Sequence, residues 1–327
     1  MYKRQVLGAQ ANAALAPLGK KIGPDPASVN AAKIGGIVAN NACGMTSGVD
    51  HNSMGTLLSM RMILLDGTVL DTGDTGSRAA FLRERRDLVA GVRALAERVR
   101  ANPALTAKIR EKYRIKNTCG YSLNALVDHE DPIEMIAHLM IGSEGTLGFI
   151  SEVVFRNLPE ASRRAAALMV FPDTARACEA VLKLKDCSVS AAELMDRVAL
   201  RSVEAKPGMP PWIRGLGDTA TALLVETGAN DDETLECQAA AIREAFVGFP
   251  LAHDFCFTTN PVEIAQLWEI RKGIFPSACV ARRPGTAVII EDIAVPIAHL
   301  ESCLGELQKL FTAYEYESPV IWGHVFD

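Results

Sequence analysis

The sequence lacks the features that mark several large protein classes. Across its 327 residues no apolar run reaches the roughly 18 residues of a membrane-spanning helix, and the N-terminal MYKRQVLGAQ has no apolar core or cleavage site of a secretion signal. The eight cysteines form no C-x-x-C pair, which leaves an iron–sulfur or zinc-ribbon site within the chain without support. The net charge of -5 argues against a general nucleic-acid-binding protein. We therefore predict a cytoplasmic globular protein whose cysteines are reduced and act as small core residues.

The length of the chain favours two domains, because a single hydrophobic core rarely grows beyond about 250–300 residues. We place the boundary after residue 157, which gives domains 1–157 and 158–327. The first part is rich in Gly, Ala, Asn and Ser near its start, and its Asp66-Gly67 step between two short apolar pieces predicts a β-hairpin.

A basic helical region follows the hairpin. Residues 78–100 carry the apolar stripe of an amphipathic helix, at Leu88, Val89, Val92, Leu95, Ala96 and Val99. From Arg78 to Lys116 there are 12 Lys or Arg and 4 Asp or Glu. This excess of positive charge fits a solvated helix face, and it also fits a docking surface for an acidic partner.

The second part alternates strand-like and helical stretches. We predict strands at 166–171, 221–226 and 286–290, and helices near 173–185, 231–246, 261–274 and 296–313. This order predicts an α+β domain with helices on one face of an antiparallel sheet.

Two glycine-containing strings carry the chemical signal. The first is GPDPAS at 23–28 followed by IGGIVANNACG at 34–44. Its prolines stiffen a loop, its glycines let a large group approach the backbone, and its adjacent Asn residues offer amides that need partners when buried. The second is IGSEGTLGFISEV at 141–153, which matches neither a Rossmann fingerprint nor a P-loop. A single glycine cluster would fit an ordinary glycine turn, but the whole first string does not favour that interpretation, whereas the second string alone could be any loop.

Together the two strings, with KNTCGYSLNAL at 116–126 between them, resemble the FAD-linked oxidases and dehydrogenases of the vanillyl-alcohol oxidase type. This family includes D-lactate, glycolate and D-2-hydroxyglutarate dehydrogenases, and the similarity is greatest to the long bacterial branch with an iron–sulfur domain. The resemblance runs from about Asn12 to Asp327. It implies an FAD-binding (PCMH-type) domain whose first subdomain is missing, followed by a truncated ferredoxin-like substrate cap.

The resemblance also implies roles for individual residues. It assigns cofactor binding to Pro24, Asp25, Ser28, Gly35, Gly36, Asn40, Asn41, Gly44, Ser47, Glu144, Gly145, Gly148 and Ile150. Trp268-Glu269-Ile270-Arg271 resembles the segment whose arginine binds the substrate carboxylate. Trp322-Gly323-His324 resembles the start of a segment whose histidine binds zinc or manganese. The residues alone leave Arg271 open as a surface arginine on a helix, and His324 open as a structural histidine.

The expected function is FAD-dependent oxidation of a D-2-hydroxy acid, such as D-2-hydroxyglutarate or D-lactate, to the 2-oxo acid by hydride transfer to the flavin. The electron acceptor would be an iron–sulfur domain or a quinone, in the cytoplasm or peripheral to the inner membrane. The family's catalytic base falls beyond Asp327, so the catalytic residue is unassigned and the chain by itself is expected to be inactive. Some relatives carry a substrate-binding lysine where this chain has Ile290, which leaves the acid open. The alternatives are an oxidase or reductase of the same fold acting on another alcohol or a sugar nucleotide, and a fragment without independent activity.

Overall fold

The computed structural model describes residues 2–3, 5–44, 48–206, 209–282, 284–288 and 292–326. The chain divides into two compact units, Met1–Glu160 and Ala161–Phe326. Both combine helices with antiparallel sheet, so the α+β prediction is confirmed. The assignment of a cofactor role to the first unit and a substrate role to the second stays a prediction. Among the described residues, no helix is long and apolar enough to cross a bilayer.

The first unit, unit 1, is built on a four-stranded antiparallel sheet in the order β1-β5-β3-β4. Its strands are β1 Tyr2–Lys3, β2 Lys20–Lys21, β3 Leu57–Leu64, β4 Val69–Asp71, β5 Gly148–Phe155 and β6 Leu158–Pro159. The predicted hairpin is confirmed, since β3 pairs with β4 and the turn between them places Gly67 at a φ of 85°. A left-handed residue of this kind favours glycine. Strands β2 and β6 pair separately.

The helices of unit 1 pack around this sheet. They are α1 Gly8–Leu15, α2 Ile34–Asn40, α3 Ser53–Thr56, α4 Thr75–Glu84, α5 Arg86–Arg100, α6 Pro103–Lys112, α7 Ala125–Asp128 and α8 Pro132–Met140. The predicted helix at 78–100 is two helices that break at Arg85. Val89, Val92 and Ala96 are buried as predicted, but Leu95 is 41% exposed. The prediction is wrong there because Leu95 lies at the edge of the apolar stripe.

Some of the positive charges between Arg78 and Lys116 form ion pairs within unit 1. Arg78 donates to Glu134 at 2.7 Å and also pairs with Asp131, and Arg85 lies 2.5 Å from Asp66. These pairs connect α4 and the loop after it to α8 and to the hairpin turn. The docking interpretation of the remaining positive charges stays a prediction.

The second unit, unit 2, has a four-stranded antiparallel sheet in the order β10-β8-β9-β7. Its strands are β7 Arg163–Phe171, β8 Ala191–Met195, β9 Thr221–Ala229 and β10 Trp322–His324. The segment 252–258 lies along the free edge of β7, where Thr258 and Ala166 exchange two backbone hydrogen bonds. The resulting β-α-β-β-α-β order is that of a ferredoxin-like fold, and the predicted ferredoxin-like domain is confirmed.

Helices cover both faces of this sheet. They are α9 Thr174–Leu184, α10 Arg197–Val203, α11 Asp232–Ala245, α12 Pro261–Ala281 and α13 Leu300–Ala313. Residues of α9, α11 and α13 share one core with Leu194 and Val225. Helix α12 bonds to Glu193 and Glu226, whose side chains point to the opposite face because they are sequence neighbours of those two core residues. The expectation of helices on one face was therefore incomplete.

Two further expectations differ from the structure. Residues 286–288 form no strand, and Ile289 and Ile290 lie outside the described residues. The eight cysteines are all free, as predicted, but only Cys178 is buried, and Cys119, Cys237 and Cys256 are exposed. The prediction that cysteines are core residues holds for Cys178 and is wrong for the exposed three.

A half-buried carboxyl group joins the chain before β10 to α10. Asp196 caps α10 by accepting from the backbone N–H of Ala199 at 2.7 Å, and it accepts from the N–H of Ile321 at 3.1 Å. Burial raises the pKa of Asp196 from 3.8 to about 6, against the effect of the backbone hydrogen bonds. The folded chain therefore favours the neutral form, and this contribution to stability is present below pH 3.8 and is lost as the pH rises through about 6.

We expect Asp196→Asn to remove this pH dependence. Asparagine also caps helices and carries no charge. Between about pH 4 and about pH 8, the free energy of unfolding of the variant should rise relative to wild type by roughly 3 kcal/mol at most, the equivalent of a two-unit pKa shift. Denaturant unfolding across this pH range measures the difference. A difference that does not change with pH would contradict the prediction.

Candidate functional site

The loop 23–28 of the first string packs closely against the chain that follows α2. A Cβ built on Gly44 would lie 1.7 Å from the carbonyl oxygen of Asp25, and one built on Gly23 would lie 2.2 Å from the carbonyl oxygen of His51. Pro24 is buried, and Ser28 at the end of the loop is exposed. Only glycine allows these backbone segments to approach so closely. The two halves of the first string therefore form one packed structure.

Helix α2 ends at an asparagine in a left-handed conformation. Asn41 has a φ of 52° and its backbone N–H donates to the carbonyls of Ile37 and Val38. Asparagine is one of the few residues that adopt this conformation readily, so the backbone gives one reason for its position. The side chain has a second property: it is 6% exposed, and its Oδ1 has no hydrogen-bond partner among the described residues. Buried amides of this kind normally have a partner.

The second string meets the end of α2. Nδ2 of Asn40 donates to Oε1 of Glu144 at 2.7 Å, and the backbone N–H of Glu144 donates to the carbonyl of Ala39 at 2.9 Å. The backbone N–H of Gly142 donates to Val38 at 3.1 Å. Gly142, Glu144 and Gly145 all have positive φ, which produces the tight curve of this loop. Residues separated by about a hundred positions in the sequence are thus brought into direct contact.

The segment between the two strings joins the same cluster. The hydroxyl of Tyr121 lies 2.9 Å from Oγ1 of Thr146, and Oγ of Ser122 donates to the carbonyl of Ile141 at 2.8 Å. Behind them, the hydroxyl of Tyr113 donates to the carbonyl of Tyr121 at 2.8 Å, and burial raises the pKa of Tyr113. Tyr121 therefore contacts the second string directly, and Tyr113 supports Tyr121. Sequence analysis noted this segment by resemblance but assigned it no residue.

These residues fit the edge of a flat, polar cofactor such as a flavin. Built Cβ atoms on Gly36 and Gly145 meet no atom within 4 Å, so the surface at both positions is open. Asn40 and Glu144 are exposed beside them, and Oδ1 of Asn41 needs a donor. The N–H and the carbonyl oxygens of a flavin ring are complementary to the carboxylate and amide groups of this cluster.

The remaining cofactor residues are placed differently. Gly35 is half-buried on α2. Gly148 begins β5, where a Cβ would lie 2.7 Å from the carbonyl oxygen of Ile63, and Ile150 is 6% exposed in the core of unit 1. Packing alone accounts for Gly148 and Ile150, so any contact of Ile150 with a cofactor would involve its backbone. Ser47 lies outside the described residues.

In unit 2, the predicted substrate arginine and the predicted metal histidine meet at one carboxylate. Nε of Arg271 lies 2.5 Å from Oε2 of Glu193, and Nδ1 of His324 lies 3.2 Å from Oε1 of the same residue. Glu193 is completely buried, with 0% exposure. The register of the sheet explains the second contact, because His324 on β10 pairs directly with Glu193 on β8.

Helix α12 brings Arg271 to this carboxylate. One turn earlier, Nε1 of Trp268 donates to Oε2 of Glu226 at 2.6 Å. Residues three apart share one face of a helix, so Trp268 and Arg271 both face the sheet. Glu226 on β9 is 5% exposed, so both contacts of α12 with the sheet are made to buried glutamates.

The described residues do not complete a metal site. No group of three His, Cys, Asp or Glu side chains in the described part of the chain could hold a metal ion. Both oxygens of Glu193 are already occupied by Arg271 and His324. His324 therefore remains a single candidate ligand, fewer than the three protein ligands usual in catalytic sites, and no chemical step is assigned to a metal here.

A cleft of about 610 Å³ lies beside α12. Its lining includes Trp212, Phe257, Glu263 and Ile270, and neither Arg271 nor His324 is among the lining residues. The arginine and histidine thus form a cluster of their own within unit 2.

Sequence analysis missed Glu193 and Glu226. Each is the one charged residue of an apolar strand, in Ala-Ala-Glu-Leu-Met and Thr-Ala-Leu-Leu-Val-Glu. A carboxylate in a strand that is otherwise all apolar is expected to be buried and therefore to need a partner. That signal was present in the sequence, but it does not identify the partner.

Comparison with known proteins gives two family matches. Residues 160–327 match the FAD linked oxidases, C-terminal domain, and residues 6–73 match a FAD binding domain. The first match alone covers half of the chain, and the two together include most of the residues described above.

Individual relatives agree with the family matches. The chain is 28% identical over 194 residues to a mitochondrial D-lactate dehydrogenase [cytochrome] of Arabidopsis thaliana, covering 59% of this chain and 32% of that protein. It is 27% identical over 271 residues to a D-2-hydroxyglutarate dehydrogenase of Xanthomonas citri pv. viticola, covering 80% and 50%. An alkyldihydroxyacetonephosphate synthase structure shares the fold with a TM-score of 0.53 at 14% identity, covering 84% of this chain and 43% of that one. The chain thus spans between a third and half of the curated relatives named here.

Proposed function

This chain belongs to the family of FAD linked oxidases, and on that premise we propose that its native protein oxidises a small D-2-hydroxy acid to the 2-oxo acid. D-2-hydroxyglutarate and D-lactate are the candidate substrates, because relatives with these activities in their names match over both units. Bound FAD would accept the two electrons that leave the substrate. The residues of this chain would hold the cofactor and orient the acid.

The observation that carries the proposal is the meeting of Arg271 and His324 at Glu193. Among the described residues Arg271 bonds only through Nε, and its two terminal nitrogens can bind a substrate carboxylate as a fork. A neutral histidine that donates from Nδ1 keeps Nε2 as an acceptor. A 2-hydroxy acid has the matching pair of groups, a carboxylate and a neighbouring hydroxyl.

Steady-state kinetics on the native protein test this function. We expect turnover with D-2-hydroxyglutarate or D-lactate and an artificial electron acceptor, and none with the L-enantiomers or with the matching alcohols that lack a carboxylate. Turnover of an alcohol without a carboxylate would favour another oxidase or reductase of the same fold. No turnover with any 2-hydroxy acid would refute the proposed substrate class.

The cofactor part of the proposal rests on unit 1. We propose that Gly36, Asn40, Asn41 and Glu144 contact FAD, with Asp25 and Gly44 shaping the loop behind them. No described residue indicates which electron acceptor the protein uses. An iron–sulfur domain or a quinone stays a prediction, and so does a divalent metal at His324, which would bind Nε2 in place of the direct hydrogen bond from the substrate hydroxyl.

We expect Gly36→Ala to weaken FAD binding while it stabilises the chain without cofactor. Alanine inside a helix is favoured over glycine by about 0.5–1 kcal/mol, and the built Cβ at this position meets nothing. If FAD lies over Gly36, the added methyl group would separate the cofactor from α2. The dissociation constant for FAD and the melting temperature of the apoprotein measure the two effects.

Gly91→Ala is the matched control for this prediction. Gly91 is also an exposed helical glycine whose built Cβ meets nothing, and it lies on α5 outside the cluster. Both variants should be slightly stabilised, and only Gly36→Ala should lose FAD affinity. Equal FAD affinity in the two variants would move the cofactor away from α2.

A further inference from the structure

We infer that Glu193 is a positioning residue of the proposed oxidation, because its single carboxylate sets the orientation of both Arg271 and His324. This inference rests on the proposed function, but part of its test does not depend on catalysis. Glu193 is not expected to contact the substrate. Its effect is transmitted through the two side chains that it holds.

The contact with Glu193 selects one form of the His324 ring. An ionised carboxylate only accepts hydrogen bonds, so Nδ1 must carry the proton and Nε2 of the neutral ring must be an acceptor. Carboxylate–histidine pairs of this kind fix both the tautomer and the ring orientation. The hydroxyl of a bound acid would then donate to Nε2.

The contact with Glu193 also determines which nitrogens of the Arg271 guanidinium can bind a substrate carboxylate. Among the described residues, only Nε of Arg271 has a hydrogen-bond partner, and the side chain is 14% exposed. Because Glu193 bonds to Nε, the terminal nitrogens of the guanidinium are the atoms that a substrate carboxylate would meet. The carboxylate and the neighbouring hydroxyl of the acid would then bind to Arg271 and His324. Glu193 sets the relative position of these two side chains.

Burial makes this arrangement specific to Glu193. The residue is 0% exposed, and removing one member of a buried ion pair leaves the other without a partner. Glu226 offers a matched comparison, since it is 5% exposed, lies on the same face of the sheet and bonds to the same helix. Glu226 contacts Trp268 rather than Arg271 or His324. A purely structural role would make the two glutamates equivalent.

The experiment compares Glu193→Gln with Glu226→Gln in the native protein. For Glu193→Gln we expect kcat to fall by about 10- to 100-fold, the usual effect of losing such a supporting carboxylate, and KM to rise as well, because Arg271 loses the contact that orients it toward the acid. For Glu226→Gln we expect a similar loss in melting temperature and a kcat within about threefold of wild type. Equal losses of kcat in the two variants, or an unchanged kcat in Glu193→Gln, would overturn the inference.

Two further measurements show whether Glu193 acts through its partners. In a His324→Ala background, Glu193→Gln should reduce kcat much less than it does alone, because residues that act as a unit are not additive. Full additivity would overturn the inference. In ¹⁵N-histidine NMR, assigned with His324→Ala, wild-type His324 should show a protonated Nδ1, and Glu193→Gln should show a tautomer mixture.

The NMR result separates this inference from the proposed function. If the wild-type protein turned over no D-2-hydroxy acid, the proposed substrate class would fail while the tautomer of His324 could still be read. A tautomer mixture in wild type, or the same single tautomer in both proteins, would overturn the positioning role regardless of activity.

Discussion

Arg271→Met should lower kcat/KM for D-2-hydroxy acids by about 30- to 4,000-fold, which corresponds to the roughly 2–5 kcal/mol of a lost charge-assisted pair. Methionine has a similar length but no charge and no donors, so the substrate carboxylate would lose its fork. Most of the loss should come from poorer capture of the acid. Steady-state kinetics with D-2-hydroxyglutarate and D-lactate measure it.

Two further variants, Arg271→Lys and Arg164→Met, test whether a loss of kcat/KM in Arg271→Met is caused by misfolding. Arg271→Met leaves Glu193 buried with His324 as its remaining partner, which by itself costs stability. Arg271→Lys keeps a positive charge for Glu193 but loses the planar fork, so it should fold and still bind the acid poorly. Arg164→Met removes an arginine 3.9 Å from the other buried glutamate and should leave kcat/KM unchanged. Wild-type kcat/KM in both Arg271 variants would place the carboxylate site elsewhere.

Gly44→Ala should release FAD from the protein and destabilise unit 1 by about 1–3 kcal/mol, the usual cost of forcing extra volume into packed structure. The new Cβ would lie 1.7 Å from the carbonyl oxygen of Asp25, so the backbone of one segment must move. That movement would separate the loop 23–28 from the end of α2. Flavin absorbance per chain and thermal unfolding measure the two effects.

A tight glycine in the other unit is the control for Gly44→Ala. A Cβ on Gly228 would lie 2.9 Å from Cβ of Ala161, so Gly228→Ala should also destabilise the protein. Because Gly228 lies on β9 of unit 2, flavin content should stay at the wild-type level. Stoichiometric FAD in Gly44→Ala would show that the contact between the two segments is not needed for cofactor binding.

The parts of the fold that were predictable are those with local signals. The Asp66-Gly67 turn requires a left-handed glycine, and the hairpin formed where it was expected. Helices α9 and α11 begin at aspartate caps, at Asp173 and Asp231, that the sequence displays directly. Such features are decided within a few residues and need no knowledge of the rest of the chain.

Helix α12 shows why the rest could not be predicted. Its apolar residues lie on all sides, as Ile264, Ile270 and Val280 show, so the sequence does not indicate which face is buried. The strand predicted at 286–290, which the described residues 286–288 do not form, was also identified from an apolar run alone, and such runs do not decide the secondary structure.

The candidate site likewise has one part that was predictable from the sequence and one part that was not. The contact of Asn40 with Glu144 joins two strings that resemblance had already grouped. The contact of His324 with Glu193 depends on the pairing of β8 with β10, and that register is set by the assembled sheet. A buried glutamate could be suspected from its apolar neighbours, but its two partners could be found only in three dimensions.

The bond between Trp268 and Glu226 gives the protein a built-in optical probe. The indole is 9% exposed and donates to a buried carboxylate one helical turn before Arg271. Its fluorescence depends on the polarity and hydrogen bonding around it, so a shift of α12 on acid binding would change the emission without any added label. Trp212 stacks on His253 at 3.9 Å and Trp322 lies on β10, so each tryptophan has a different environment and can be distinguished by single replacements. Rapid-mixing fluorescence could then time the movement of the arginine-bearing helix directly.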